Sequence, residues 1–478
     1  MADFAEYESY DGLGLAELVS SNEVSPEQLL DAAIARVERH NPALNAVVHE
    51  MYDEARVAIA DGLPEGPFTG VPYMLKDLGA FARGVPTTGG SRLFADFIPD
   101  HDTQLTARSR AAGLVIMAKT NTPEMGISPA CEPVLHGPSR NPWNPAHSSG
   151  GSSGGAAVAV AAGMVPMAHG SDGGGSIRIP AANCGLFGLK PTRARNPAGP
   201  DVGEGWSGLS TAHALTRSVR DSAALLDATS GPAPGDPYWA PPPLRPFLAE
   251  VGAEPGRLRI ALSTAAANGV PVHPECVAAA EEAAKLCESL GHMVEEAAPA
   301  FDMALAIRAM RTIWAANLWV GVETRYRVLG REPDGEGLET VTWRLAREGR
   351  DQSAADYARA IPVIHGIGRA CGDFFTDYDL LLTPTLAQPP WPLGTIDMMT
   401  EDLEAYFAAL YAHMPFTAQV NASGQPAVSL PLHWSEDGLP VGVQFVGRFG
   451  DEATLLRLSS QLEQARPWAA RRPHTDRP

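Results

Sequence analysis

Apolar positions near the amino terminus fall three and four residues apart: Leu29, Leu30, Ala33, Ile34 and Val37 form one stripe of a helix. Ser25-Pro26-Glu27-Gln28 precedes them with a capping hydroxyl, a proline suited to the first turn and a glutamine placed to close a capping box, so the helix starts there. From Asp102 a polar-capped helical segment runs to Gly113 and gives way to LVIMA, Leu114–Ala118, a short apolar run that predicts a buried strand. The same order recurs as LRIAL (Leu258–Leu262), a helix across Pro274–Leu290 closed by Gly291, and HMVEE (His292–Glu296). Strand, helix and strand in that order imply a parallel crossover. YDLLLTP (Tyr378–Pro384) reads as a further buried strand, and Leu403, Phe407, Leu410 and Met414 as another helical stripe. The alternation predicts an α/β chain.

Two kinds of segment interrupt this grammar. PAPGDPYWAPPPLRP (Pro232–Pro246) is the best linker candidate, but α/β elements stand on both sides. It reads as a surface crossing within one domain, 1–478, rather than as a boundary. GGSSGG (Gly150–Gly155) and SDGGGSIRIPA (Ser171–Ala181) have linker composition, yet AAVAVAAGMVPMA (Ala156–Ala168) follows the first at once. That run suits a protein interior; it is too short to span a bilayer and contains Pro166.

Composition narrows the partners. Of 478 residues, 45% are hydrophobic and 19% charged, ordinary for a soluble globular chain. Lys plus Arg number 36 against 56 Asp plus Glu, a net charge of −20, with no basic run, which argues against nucleic acid. The cysteines (Cys131, Cys184, Cys276, Cys287, Cys371) are scattered, with no C-x-x-C or H-E-x-x-H, so neither zinc nor a disulfide framework is expected. MADFAEYESYDG is acidic and lacks the basic and apolar regions of a signal peptide. A cytoplasmic protein without metal, cofactor or membrane contact is the expectation.

The glycine runs carry the chemistry. Gly150–Gly154 satisfies G-x-S-x-G, but that elbow needs a strand just before it. SRNPWNPAHS (Ser139–Ser148), with two prolines, reads as a loop, and no downstream histidine has a distinctive setting, so the elbow is set aside. A phosphate-binding loop would need G-K-[ST], and no lysine lies between Lys119 and Lys190. Two serines in glycine nests remain, Ser152 and Ser176, with Lys76 upstream at the end of an apolar run. Such a lysine either snorkels to the surface or is desolvated.

GVPYMLKD (Gly70–Asp77), KTNTPEMG (Lys119–Gly126), SRNPWN (Ser139–Asn144), GGSSGGAAVAVAAG (Gly150–Gly163), SDGGGSIRIPAANCGLFGLKPT (Ser171–Thr192), NASGQPAVSLPL (Asn421–Leu432) and GLPVGVQFVG (Gly438–Gly447) together resemble the amidase signature family. The resemblance runs in order along nearly the whole chain. It implies a large central twisted sheet, mixed and mostly parallel, with helices on both faces. It also implies an amidohydrolase that forms an acyl-enzyme through a Ser–cis-Ser–Lys triad, here Ser176, Ser152 and Lys76, with a cis peptide between Gly151 and Ser152. The family's oxyanion hole falls on the backbone N–H groups of Gly173, Gly174, Gly175 and Ser176. Ser153 and Asp172 support the triad from behind, with Arg178 a structural partner of Asp172. The relay is chemically coherent: a serine is a weak nucleophile until its proton is taken, and a desolvated lysine can be neutral enough to receive it.

Two departures stand out. Gly173 occupies a position where many members carry a larger residue, often threonine, which predicts a looser loop and a wider pocket; Ser148-Ser149 replace a frequent Thr-Pro. Cys184, His147 and His169 read as structural. Trp206, Trp314, Trp319, Tyr326, Trp391, Tyr411 and Phe416 lie where members differ, and some are expected to line an apolar cleft for bulky aryl or alkyl amides. Cyclic oligoamides and carbamates, the latter through urethanase activity, are open to the same attack. The glutamyl-tRNA amidotransferase A subunit stands further off, because Arg193–Val219 does not resemble its continuation, and a membrane-seated fatty-acid amide hydrolase would need an anchor. A catalytically dead binding module is opposed by the intact Lys76, Ser152 and Ser176. The expected partner is a small-molecule amide or carbamate, taken by a monomer or homodimer.

Overall fold

A computed structural model describes residues 4 and 6–473; residues 1–3 and 5, within the acidic stretch read for a leader, and 474–478 lie outside the described residues. The strands in chain order are β1 (Val47–Glu50), β2 (Pro72–Lys76), β3 (Val115–Thr120), β4 (Arg140–Asn141), β5 (Asn144–Ser148), β6 (Met167–Asp172), β7 (Phe187–Lys190), β8 (Thr211–Thr216), β9 (Arg259–Leu262), β10 (Met293–Glu296), β11 (Leu380–Pro384), β12 (Ala427–Trp434) and β13 (Pro440–Gly447). Eleven form one sheet in the order β1-β3-β2-β6-β8-β7-β12-β13-β11-β9-β10, and β4 and β5 make a separate ribbon.

The helix expected after Ser25 spans Pro26–Leu44, and both halves of the Ser25–Gln28 capping box are made. LVIMA becomes β3, LRIAL becomes β9, and the helix between β9 and β10 covers Pro274–Ser289. β9 and β10 pair in parallel, as a crossover through a helix requires.

The sheet is mixed, as expected, but not mostly parallel. β2 lies parallel to β3 and β6, and β9 parallel to β10 and β11. The remaining six of ten neighbouring pairs are antiparallel. The cause is local. β12 and β13 are joined by a tight turn in which Gly438 N–H donates to the Ser435 carbonyl at 2.9 Å. β8 inserts between β6 and β7, antiparallel to both. Two blocks of three parallel strands therefore run in opposite directions, joined through β8, β7, β12 and β13.

Both faces are covered. Along β12, Val428, Leu430 and Leu432 pack with Leu455, Leu458 and Leu462 of the helix Glu452–Ala465. Ser429 points the other way, where Ala182 of the helix Arg178–Cys184 comes so close that a Cβ on Gly442 would lie 2.6 Å from its methyl. The Ala156 run forms the helix Gly154–Ala161, buried at every position. Its small side chains let it lie directly against β2, β3, β6 and β8.

Two readings change. SRNPWNPAHS is not a loop: its two halves pair as the β4–β5 ribbon, with Arg140 opposite Ser148. The ribbon is separate from the main sheet, so the strand before the first glycine run is not the buried central strand of an elbow. The Pro-rich stretch is irregular and largely exposed, and strands on both sides of it belong to the same sheet. Arg108 holds its approach, donating from Nη1 to the carbonyls of Thr229, Ser230 and Gly231 at 2.7, 2.9 and 2.6 Å. No helix among the described residues is long and apolar enough to cross a membrane.

Candidate active site

β2 delivers Lys76 into the protein rather than to its surface. The side chain is fully buried, and its Nζ donates to Ser152 Oγ at 2.6 Å and to Ser171 Oγ at 3.0 Å. Burial pushes the Lys76 ammonium down from 10.5 to about 7, against the opposing pull of Cys131 and Asp172.

Ser152 sits on the loop between the ribbon and the buried helix, after a cis Gly151–Ser152 peptide. Gly151 has no room for a side chain: a Cβ there would lie 2.8 Å from the Ser128 carbonyl oxygen. Ser153 ties the two glycine runs together. Its N–H donates to the Ser176 carbonyl at 3.2 Å, and its hydroxyl donates to the Ser171 carbonyl at 3.2 Å while accepting from Ser171 N–H at 3.3 Å.

The second run leaves the end of β6 and turns into the helix Arg178–Cys184. Asp172 organises the turn. Its carboxylate accepts from Gly175 N–H at 2.8 Å and Ile177 N–H at 3.1 Å, and meets Arg178 in a two-point pair at 2.9 and 3.0 Å. Burial opposes this charge, but Arg178 and the surrounding donors outweigh it and hold the Asp172 carboxyl well below the usual range. Arg178 is also fully buried, and it spends its other N–H groups on the Thr417 carbonyl (3.1 Å), Gln444 Oε1 (2.6 Å) and Asn421 Oδ1 (2.7 Å). Asn421 returns Nδ2 to the Asp172 carbonyl at 2.9 Å. Every strong donor and acceptor of the pair is thus satisfied, the condition under which a buried ion pair is tolerated.

Of the four backbone groups assigned to an oxyanion hole, Gly175 N–H already has an acceptor in Asp172. Gly175 lies at φ 135°, beyond the reach of ordinary side chains, and Thr417 Oγ1 occupies the space a Cβ would take and donates to the Gly174 carbonyl at 2.7 Å. Ser176 is half-buried at the edge of a cleft, where a nucleophile must be reachable, whereas Ser152 is buried.

The expectation that Gly173 widens the pocket is overturned. A Cβ on Gly173 would lie 2.8 Å from two carbons of the Trp206 ring, so the indole fills the space that a side chain would otherwise take. Trp206 in turn stands 6.2 Å from Trp314, ring centre to ring centre. The cleft has two arms that share Ser176, Gly126 and Trp206. One, of about 490 Å³ including the space at its mouth, is apolar, walled by Trp314, Tyr406, Phe407, Leu410 and Met414. The stripe read on the helix Leu403–His413 thus supplies one wall, while Trp319, Tyr326, Trp391, Tyr411 and Phe416 do not line this arm. The other arm, of about 1080 Å³ with its open mouth, holds Ser152, Ser171 and His169.

Ser171 is the neighbour of Lys76 that sequence reasoning missed. The signal was alternation along β6: from Asp172, which faces Arg178, one step back turns to the opposite face, where Lys76 lies. Cys184 is buried, donates its thiol to the Ser149 carbonyl at 3.4 Å and has its pKa raised by burial. Among the described residues no group of three or more His, Cys, Asp or Glu side chains could hold a metal ion.

A family model described as Amidase matches residues 28–456. The chain is 40% identical over 475 residues to a 6-aminohexanoate-cyclic-dimer hydrolase of Paenarthrobacter ureafaciens, covering 97% of this chain and 96% of that protein. A solved structure of 6-aminohexanoate cyclic dimer hydrolase superposes with a TM-score of 0.92 at 38% identity, covering 98% of this chain and 99% of that one. A bacterial aryl acylamidase of the amidase signature family superposes with a TM-score of 0.87 at 28% identity, covering 96% and 97%.

Proposed function

Because this chain belongs to the amidase family and is an amide-hydrolysing enzyme, we propose that it works through Ser176 as nucleophile, Ser152 as proton relay and Lys76 as base. The observation that carries this reading is the 2.6 Å contact between a fully buried Lys76 and Ser152, with Ser152 and Ser176 opening onto one cleft. Ser176 Oγ bonds to the amide carbon as its proton passes to Ser152 and the Ser152 proton passes to neutral Lys76. The electron pair released onto the carbonyl oxygen is met by backbone N–H groups of Gly173, Gly174 and Ser176; one such donor is typically worth about 3–4 kcal/mol of barrier. The C–N bond breaks as Ser152 hands a proton to the departing nitrogen and recovers one from Lys76. Water then attacks the acyl-enzyme over the same relay and releases the acid.

Ser153 and Asp172 position these groups: Ser153 links the two serine loops, and Asp172 with Arg178 holds the second one. The eleven-stranded sheet, which draws strands from both ends of the chain, supports reading 1–478 as one catalytic domain; its substrates in this reading are small-molecule amides of the cytoplasm. The apolar arm suits a bulky aryl or alkyl group, and the relatives' activities toward cyclic dimers and aryl acylamides fall within that class. The test is a hydrolysis panel of an aryl amide, an alkyl amide, a cyclic oligoamide and a carbamate. Ser176→Ala is expected to abolish turnover of every substrate cleaved by the wild type; retained turnover overturns the assignment. The carbamate lane decides whether urethanase activity accompanies amidase activity.

A further inference from the structure

Outside the catalytic cleft, a hollow of about 1270 Å³ including the space at its mouth opens where three segments meet: the chain after β7, the helix Ala354–Phe374 and the turn after β13. Its charged lining is of one sign. Arg193, Arg369 and Arg448 line it together with His365, and no Asp or Glu does. In a chain of net charge −20, guanidiniums gathered around one hollow run against the average field. One carboxylate answers them from outside the lining, Asp379, which lies 2.9 Å from Arg448. Arg193 and Arg369 have no ion-pair partner among the described residues. Asp373 and Asp377, exposed on the adjoining turns, do not line the hollow. The lining is left with an excess of two positive charges.

The space is written into the sequence. His365, Gly368, Arg369 and Gly372 recur three and four residues apart, on one face of their helix. Glycine weakens a helix interior, yet two glycines stand on the face that borders the hollow. A Cβ on Gly372 would meet nothing within 4 Å. The face therefore presents an imidazole and a guanidinium over a floor without side chains.

Arg193 is fixed in the opposite wall. Its Nε donates to the Gly208 carbonyl at 2.6 Å, and its Nη2 to the carbonyls of Asn421 and Ala422 at 3.0 and 2.7 Å. The guanidinium lies against Gly424, where a Cβ would stand 3.0 Å from Arg193 Cζ. Nη1 has no acceptor among the described residues and is not sealed from solvent. Burial pushes the Arg193 guanidinium down from 12.5, so an anion at Nη1 would supply a missing counter-charge.

The same bonds reach the catalytic cleft. Gly208 stands two residues after Trp206, which fills the space beside Gly173 and borders both arms. Asn421 holds Asp172 and Arg178. Tyr357, from the helix that carries Arg369, meets the Ser207 hydroxyl. We propose that this hollow binds a polyvalent oxyanion, phosphate or carboxylate, and that Arg193 transmits its occupancy to the loop bearing Trp206. A guanidinium fork matches either group at two points. The excess of positive charge favours an anion of two or more charges over a monovalent one.

The test is titration calorimetry on the whole chain at low salt with tripolyphosphate, citrate and acetate. Tripolyphosphate or citrate is expected to bind with a Kd below about 1 mM and acetate at least about tenfold more weakly. The tighter of the first two tells whether phosphate or carboxylate is preferred. Arg369→Ala removes an exposed side chain without a protein partner and is expected to weaken binding about tenfold. Arg359→Ala, exposed on the same helix but outside the hollow, is expected to leave Kd within about twofold. Hydrogen exchange across residues 203–210 is expected to slow at least about threefold in the saturated wild type, and not in Arg369→Ala at the same anion concentration.

No binding of either polyanion, equal losses in Arg359→Ala and Arg369→Ala, or binding displaced by an amide substrate and indifferent to Arg369 overturns the site. Binding with unchanged exchange in 203–210 overturns the transmission through Arg193. None of these readouts needs turnover, so they stand apart from the roles proposed for Ser176, Ser152 and Lys76.

Discussion

The burial of Lys76 makes a prediction about pH. A base must be neutral to accept a proton, and an ordinary lysine with a pKa near 10.4 is neutral in only about one molecule in a thousand at pH 7.5. Burial pushes Lys76 to about 7, and at that value roughly three-quarters of the molecules are neutral at the same pH. The sign is fixed: the neutral form works, so log kcat/KM rises with unit slope below about pH 7 and levels above it. Between pH 6 and pH 5 the rate is expected to fall about tenfold.

The assay is kcat/KM for an anilide from pH 5 to 9.5 at constant ionic strength, with circular dichroism at each pH to show that the fold persists. Neighbouring groups stay out of the window: His169 is held down to about 3, and Asp172 below the usual carboxylate range. Lys190 and Glu339 are also shifted to about 7, but Lys190 donates to the Pro191 carbonyl and Glu339 accepts from Val134 N–H. Lys190→Met and Glu339→Gln should therefore leave the midpoint in place. Lys76→Ala should lose about two to four orders of magnitude and the limb with it. A rate still climbing above pH 9, or one highest in acid, would refute the reasoning, because it would mean that burial does not set the charge of Lys76.

Three further outcomes follow from the same geometry. Ser171→Ala removes an acceptor that favours the Lys76 ammonium, so the pH limb is expected to move lower, by a few tenths of a unit up to about one, measured as above. Arg178→Met leaves Asp172 buried without its partner and is expected to cost about 3–5 kcal/mol in urea unfolding, whereas a loss under about 1 kcal/mol would deny the pair its structural role. Gly173→Ala drives a methyl into the Trp206 ring. It is expected to lower kcat/KM for an aryl amide about tenfold with a change in Tm of only a few degrees, and an unchanged kcat/KM would show that the indole retreats freely.

What the sequence makes legible is local or carried by long motifs. The Ser25–Gln28 box is read from four consecutive residues because its hydrogen bonds close within one turn. The burial of the run after the first glycine stretch is read from the absence of any polar face. The juxtapositions that matter at the site are not local. Ser171 meets Lys76 only because β6 lies beside β2, a pairing no spacing announces. Trp206 meets Gly173 from 33 residues downstream, so the glycine read as slack is in fact filled. The expected excess of parallel pairs failed for a related reason: strand–helix–strand order is visible in composition, while the insertion of β8 between β6 and β7 is not. Asn421 and Gln444 stood inside recognisable motifs, yet nothing near them in sequence showed that they face Arg178.

That last contact bears on the order in which the protein is made. Arg178 draws on partners 239, 243 and 266 residues further along the chain. A ribosome that has delivered Lys76, both serine loops and the oxyanion turn has therefore not yet delivered the groups that let Asp172 and Arg178 rest together in the interior. Hydrolytic competence is expected to switch on late, when β13 docks, rather than to accumulate as the chain lengthens. A fragment ending near residue 400 should be inert, and a separately supplied carboxy-terminal piece should bring it to life.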